Sequence, residues 1–333
     1  RLVRTASATL DFGQSQAQDT AVNIANDSDN GDTFAINVDG VNPSNDVSLD
    51  LTVGDAADEN GIGSGGNEVA FNIDNVDTLN LDAVGGDSEL DTLSGPGNST
   101  LDTLNVDAAN GVNLNANTVD AIFSGSSSAS DDTFSVTLSG EGNIDFTGGN
   151  GLDFNNSGGN VDEVTITSEA GGSRTILAGA DDSNNFGNLD NTDGFTLDGD
   201  GDIELQIGDV NTGNGANAIS GLSVDASNAN GDVTLAIADN INNAPSSGNL
   251  AADNFANIDT LKLLDGASAA ANIVNLAAGV DLNIAGDVTG GSLSFDNDAV
   301  NDLDVTLSNS ANLDQAFNDA GNSLESVSIV FDS

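Results

Sequence analysis

Apolar residues recur two apart through most of this chain. In Asp77-Thr78-Leu79-Asn80-Leu81, Asp102-Thr103-Leu104-Asn105-Val106 and Asp259-Thr260-Leu261-Lys262-Leu263 they alternate with polar ones. That is the period of an extended strand with one buried face. The cassette returns at Asp32-Thr33-Phe34-Ala35-Ile36, Asp91-Thr92-Leu93 and Asp132-Thr133-Phe134-Ser135-Val136. Shorter versions stand at Val164-Thr165-Ile166, Val233-Thr234-Leu235, Leu282-Asn283-Ile284, Val305-Thr306-Leu307 and Val327-Ser328-Ile329. A helical period is confined to Leu313, Ala316 and Phe317, which predicts one short helix near 312–320. A longer unit is used twice, with Thr137-Leu138-Ser139-Gly140-Glu141-Gly142-Asn143-Ile144-Asp145-Phe146 matching Thr196-Leu197-Asp198-Gly199-Asp200-Gly201-Asp202-Ile203-Glu204-Leu205 place by place. Each copy reads strand, glycine-punctuated turn, strand.

Clusters of Asn, Asp and Gly separate these strands, so the chain is all-β with tight turns. Two architectures accommodate many short strands at near-regular spacing: a parallel β-solenoid (β-helix or β-roll) and tandem antiparallel β-sandwiches. The solenoid explains more. Its narrow core takes stacked Leu, Val and Ile, and its turns need residues that tolerate positive φ. Sandwich cores usually hold a Trp or Tyr, and here 13 Phe are the only aromatics. About 20–25 residues per coil would give ~13–16 coils and a rod of ~60–75 Å. Residues 1–12 read as an N-terminal arm or edge strand. Residues 13–333 read as the solenoid, with seams near 61–66 and 242–249.

Charge narrows the function. Four basic residues stand against 54 acidic ones, a net charge of −50, and His, Cys, Met, Trp and Tyr are absent. Imidazole and thiolate chemistry is thereby excluded, whether in metal sites, catalytic triads or disulfides. A nucleic-acid partner is excluded too, since neutralising phosphates takes clustered cations. No stretch is apolar enough for a membrane-spanning helix. At 37% hydrophobic residues, regularly placed, with only 3 Pro, the chain is read as folded rather than disordered. The lack of Cys fits a secreted, extracellular or cell-surface protein.

The Asp-Thr-Leu cassettes, the Asn/Asp/Gly turns and Gly148-Gly149-Asn150-Gly151-Leu152-Asp153-Phe154-Asn155-Asn156 resemble RTX-type surface-layer and adhesin proteins exported by type I secretion. In the nonapeptide the glycines and Asp153 match, and Asn155 stands where the family has a large apolar residue. The resemblance implies a calcium-stabilised β-solenoid, often self-assembling into a coat, with Asp153 as a ligand. The ending at 327–333 is compatible with that family's uncleaved export signal.

Calcium also follows from the residues. It takes six to eight oxygen ligands, and carboxylates, amides and backbone are what this chain offers. Asp198-Gly199-Asp200-Gly201-Asp202, with Asp209 downstream, resembles the start of an EF-hand loop, but Ile203 replaces the sharp-turn Gly. A solenoid-edge calcium loop and plain solvated turn carboxylates both remain open here. Asp77, Asp102 and Asp259 are read as turn caps that accept backbone N–H bonds. Self-repulsion at −50 demands cations, from calcium or from molar salt as in a halophile coat protein. Only eight acids are Glu, which favours calcium loops, because Asp fits turns better. An enzyme is not expected: Arg174 and Lys262 are isolated cations, and no Trp or Tyr is present to line a sugar cleft. Sequons stand at Asn26, Asn98 and Asn155. The first and last strand segments read as sheet edges, with Arg1 and Arg4 set to dock onto an acidic neighbour. The expectation is a secreted, calcium-binding, self-assembling surface-layer (S-layer) or filament subunit, with itself and cell-surface polysaccharide as partners. The alternatives are an adhesin or biofilm-matrix segment, a halophile coat protein, and a carboxylate-based polysaccharide-degrading enzyme.

Overall fold

The two-residue period becomes strands with alternate side chains buried. Leu49, Leu51 and Val53 point inward from Ser48–Val53, as do Leu79, Leu81 and Ala83 from Thr78–Ala83. The computed structural model describes residues 7–12, 20–24, 34–40, 48–54, 61–62, 69–74, 76–94, 101–120, 133–147, 151–153, 163–178, 194–207, 223–237, 249–251, 255–264, 271–274, 277, 279–286, 293–296, 302–308, 318–319 and 325–331. Every strand pairing among them is parallel. That decides for the solenoid and against antiparallel sandwiches. A spine sheet of 14 strands runs from Ser7–Phe12 to Ser326–Phe331. A second sheet of 9 strands runs from Thr20–Ile24 to Phe255–Ala256, and a third of 4 strands from Asn249–Ala251 to Asn318–Asp319. Strands alternate along most of the chain between the spine and one of the other sheets, so each coil stacks on the one before it.

Two expectations are corrected. Of the helix near 312–320 only Asn318 and Asp319 are described, and both are extended, paired with Ser294 and Phe295. The coil is also longer than expected over the middle of the chain, where Asn113 opposes Asn143 and Ile203 opposes Val233. Coils within the expected range stand on either side of that middle, with Val69 opposing Leu90 and Thr260 opposing Asp281. Turn residues mark where strands stop and leave open which strands pair. Of the two seams, Ile62 is fully buried and donates its N–H to Ser88 Oγ at 3.1 Å. Asn249 opens the first strand of the third sheet.

Inside, side chains stack in rows. Leu49, Leu79, Leu104, Val136, Ile166 and Leu197 form one row on the second sheet. Another alternates large and small: Phe134, Val164, Phe195, Val224, Phe255. On the spine, Phe146, Ile176, Leu205, Leu235, Leu261, Leu282, Val305 and Ile329 lie in register. One hydrophobic cluster spans from Leu49 to Leu307. At about 25 cal/mol per Å² of apolar area, such rows supply the main drive for stacking coils that cannot bury a face alone.

A corner joins the second sheet to the spine, and here the repeated ten-residue unit finds its place. Both copies turn this corner, and the coil between them turns it with Glu169-Ala170-Gly171-Gly172. Backbones approach closely: a Cβ on Gly171 would stand 2.0 Å from the Gly140 carbonyl oxygen. Gly199 adopts φ 105°, which side-chain-bearing residues rarely adopt. Coil-to-coil bonds follow, Gly142 N–H donating to the Ala108 carbonyl at 2.8 Å and Gly201 N–H to the Ser168 carbonyl at 2.9 Å.

Candidate functional site

The Asp198–Asp202 motif sits on this corner. Asp198 is half-buried at the end of Gly194–Gly199, opposite Thr167, and its Oδ1 accepts the Gly199 N–H at 2.6 Å. Asp200 and Asp202 are exposed on the turn. Asp200 Oδ1 accepts Asn230 Nδ2 at 2.8 Å and Asp202 Oδ1 accepts the Asp232 N–H at 2.8 Å, both from the next coil. The three carboxylates are thus turned to three different protein donors. Among the described residues no group of three or more acidic side chains is placed to hold a metal ion. Asp209 lies outside the described residues.

Asp153 ends a short strand, Gly151–Asp153. The long strand Asn113–Asp120 is matched in the following coil by two strands, Asn143–Phe146 and Gly151–Asp153, with Asp145 opposite Asn115 and Gly151 opposite Thr118. The extra residues between them begin at Thr147, whose N–H and Oγ1 both bond Asp145 Oδ1, at 3.0 and 2.6 Å. Leu152 is fully buried, and Asp153 lies opposite Asp120 in the spine sheet.

Polar side chains on the outer faces bond along the stack, and two amide ladders run from later coils to earlier ones. Asn105 Nδ2 donates to Asn80 Oδ1 at 2.8 Å, and Asn80 Nδ2 donates to Asp50 Oδ1 at 2.6 Å. On the spine, Ser173 N–H donates to Asn143 Oδ1, Asn143 Nδ2 to Asn113 Oδ1, and Asn113 Nδ2 to Asp87 Oδ1, at 2.9, 2.7 and 2.8 Å. Asn80, Asn113 and Asn143 each accept from the coil after and donate to the coil before. A carboxylate, which only accepts, closes the early end of each ladder. Sequence reasoning missed these ladders, although Asn80 and Asn105 hold the same place in two cassettes. The capping role expected of the cassette aspartates is seen at Asp259, whose Oδ2 accepts the Val233 N–H of the preceding coil at 2.7 Å.

Carboxylates also stack without amides between them. Burial first, then Asp107, then Asp50 push Asp82 above the ordinary carboxylate range. Asp225 is held below that range by hydrogen bonds from the side chain and backbone of Ser227.

Two of the four cations are described, and both are committed within the stack. Lys262 Nζ reaches two coils back to Glu204, 2.8 Å from Oε2 and 3.0 Å from Oε1. Arg174 is 2% exposed and occupies a core row, opposite Ile144. Its Nη2 donates to the carbonyls of Gly140 and Ser139, at 2.6 and 3.2 Å. Its Nη1 donates to those of Gly142 and Ser173. Nε is the single buried side-chain nitrogen or oxygen without a partner among the described residues. Burial lowers the Arg174 pKa below its usual value, and Asp107 offsets part of that. The isolated cation of the sequence is thus a clamp on the corner beneath it. Arg1 and Arg4 lie outside the described residues.

No protein-family model, no curated protein and no solved structure matches the chain. No helix among the described residues is long and apolar enough to cross a membrane.

Proposed function

We propose that the chain is a structural subunit of an extracellular layer or filament, serving by its shape and its contacts with its own kind. The observation that supports this is the continuity of the stack: one hydrophobic cluster from Leu49 to Leu307, with outer-face side chains hydrogen-bonded from coil to coil. Such a surface engages much of its polar chemistry in holding the coils together. The likeness to RTX-type surface-layer proteins supports secretion and a coat on the same reading, with cell-surface polysaccharide as the anchor.

Cations complete the proposal. At −50 the coils and their neighbours repel, and the stacked pair Asp82 and Asp107, with Asp50 also acting on Asp82, raises that cost locally. Calcium, drawn to acidic rows rather than to the 198–202 turn alone, relieves it at millimolar concentration. Monovalent salt acts only by screening and needs far more.

Thermal unfolding in EDTA, in millimolar calcium and in molar NaCl tests this, with electron microscopy of each sample. Calcium is expected to raise Tm and to promote ordered assemblies. Equal rescue by NaCl would reduce the calcium part to screening. Samples free of ordered assemblies under all three conditions would overturn the structural-subunit reading.

A further inference from the structure

The side-chain carbonyl of an asparagine is open to attack by the backbone nitrogen that follows it. The attack is easiest where that nitrogen belongs to glycine, which has no Cβ in the way. Six Asn-Gly pairs stand in this chain, and both residues are described in two of them, Asn110-Gly111 and Asn230-Gly231. Both pairs lie on the corner where the second sheet hands over to the spine, and both asparagines are exposed. Each donates its Nδ2 to a carboxylate of a neighbouring coil, Asn110 to Glu141 Oε2 at 2.7 Å and Asn230 to Asp200 Oδ1 at 2.8 Å. They differ in the backbone.

Asn110-Gly111 is the tip of a turn that the Val112 N–H closes by donating to the Ala109 carbonyl at 3.0 Å. Gly111 takes φ 78°, and a Cβ placed on it would meet nothing within 4 Å. Among the described residues no acceptor takes the Asn110 N–H or the Gly111 N–H. The peptide unit between them can therefore rotate toward the Asn110 side chain without breaking a hydrogen bond of its own. Asn230-Gly231 is held. The Asn230 N–H donates to the Gly199 carbonyl at 2.8 Å, and the Asp232 N–H donates to Asp202 Oδ1 at 2.8 Å. A Cβ on Gly231 would stand 2.4 Å from the Gly201 carbonyl oxygen, so the preceding coil blocks the rotation as well.

We propose that Asn110 is a site of spontaneous deamidation, and that the packed corner protects Asn230. Solvent base takes the Gly111 amide proton as the Gly111 nitrogen bonds to Asn110 Cγ. The Cγ–Nδ2 bond breaks, and Nδ2 picks up a proton from water and leaves as ammonia. One water molecule then opens the resulting succinimide at either carbonyl, giving an α-linked or a β-linked aspartyl residue at position 110. Neither oxidant nor cofactor takes part. The Asn110 amide now ties its coil to the next through Glu141. A carboxylate in its place only accepts hydrogen bonds, as Glu141 does, and the two repel. The β-linked product also adds a carbon to the backbone between Thr103–Ala108 and Asn113–Asp120. Ageing thus loosens one chosen coil-to-coil contact, whatever the chain assembles into.

Peptide mapping by mass spectrometry tests this on the whole chain, freshly purified and then held for weeks in mildly alkaline buffer. Fragmentation assigns each gain of one mass unit to its asparagine. Two backbone hydrogen bonds must open at Asn230 and none at Asn110, so Asn110 is expected to convert roughly tenfold faster or more. In unfolding concentrations of urea the two sites should convert at similar rates. Equal rates in the folded chain, or an Asn110 that stays intact while it converts in urea, would overturn the proposal. A difference that persists in urea would also overturn it, since the flanking sequence and not the corner would then set the rates.

Discussion

The middle of the stack and its last third solve the same packing problem by different means. From Ser48–Val53 to Ser223–Ala229 most coils are long, the second sheet faces the spine, and much of this stretch turns the close-packed glycine corner. Beyond Phe255–Ala256 the second sheet ends and the third takes its place. Coils shorten there, as the pairing of Leu282 with Val305 shows beside that of Asn113 with Asn143. The spine runs through both regions without a break. The spine rows therefore set the register, and the opposite face and its connections vary around them.

The largest difference between the regions should appear at glycine. Gly171→Val would drive a side chain into the Gly140 carbonyl and is expected to cost about 3 kcal/mol or more. Gly279→Ala, at φ 86° in open space, should cost only roughly 1–2 kcal/mol of backbone strain. Equal losses in urea unfolding would erase the distinction between the corners. Arg174→Ala comes next, at about 2–4 kcal/mol, because it strips donors from buried carbonyls and leaves a hole in the core row. Arg174→Met fills the row as Ile144 does and should recover part of that loss; no recovery would mean that the hydrogen bonds alone matter.

Lys262→Ala should cost the tail only about 0.5 kcal/mol, since the Glu204 pair is partly exposed. The smallest effect is a pH dependence in the middle. Asp82 binds its proton more tightly folded than unfolded, so its contribution favours the folded state at low pH and turns against it as pH rises through the folded value. Asp82→Asn should then be more stable than the parent at pH 7, the gain shrinking toward about pH 4. A gain independent of pH would assign the effect to the amide's own hydrogen bonds.

Much of the architecture is legible in the residues, because a two-residue period and turn chemistry are local properties. Leu79, Leu81, Leu104 and Val106 announce their buried face within a single cassette. Coil length is a non-local property: nothing near Asn113 says that its partner is Asn143 rather than an earlier residue, and only stacking of the whole chain decides. Arg174 was hidden by its type. Aligning Gly172-Ser173-Arg174 with Gly142-Asn143-Ile144 and Gly201-Asp202-Ile203 puts it in an apolar place, a signal carried by the coil that lies between the two matched copies. The acidic turn was legible as alternating carboxylates. Whether they converge depends on how the corner splays them, and the next coil supplies donors to Asp200 and Asp202.

The Phe134, Val164, Phe195, Val224, Phe255 row carries a consequence for how such a chain lengthens. Its repeating unit is a pair of turns, one bulky and one slim. Duplicating or excising a single turn would seat benzyl on benzyl or leave isopropyl facing isopropyl across a gap. Gene-level growth of this stretch should therefore proceed in even steps, and engineered versions should tolerate added doublets better than added singlets.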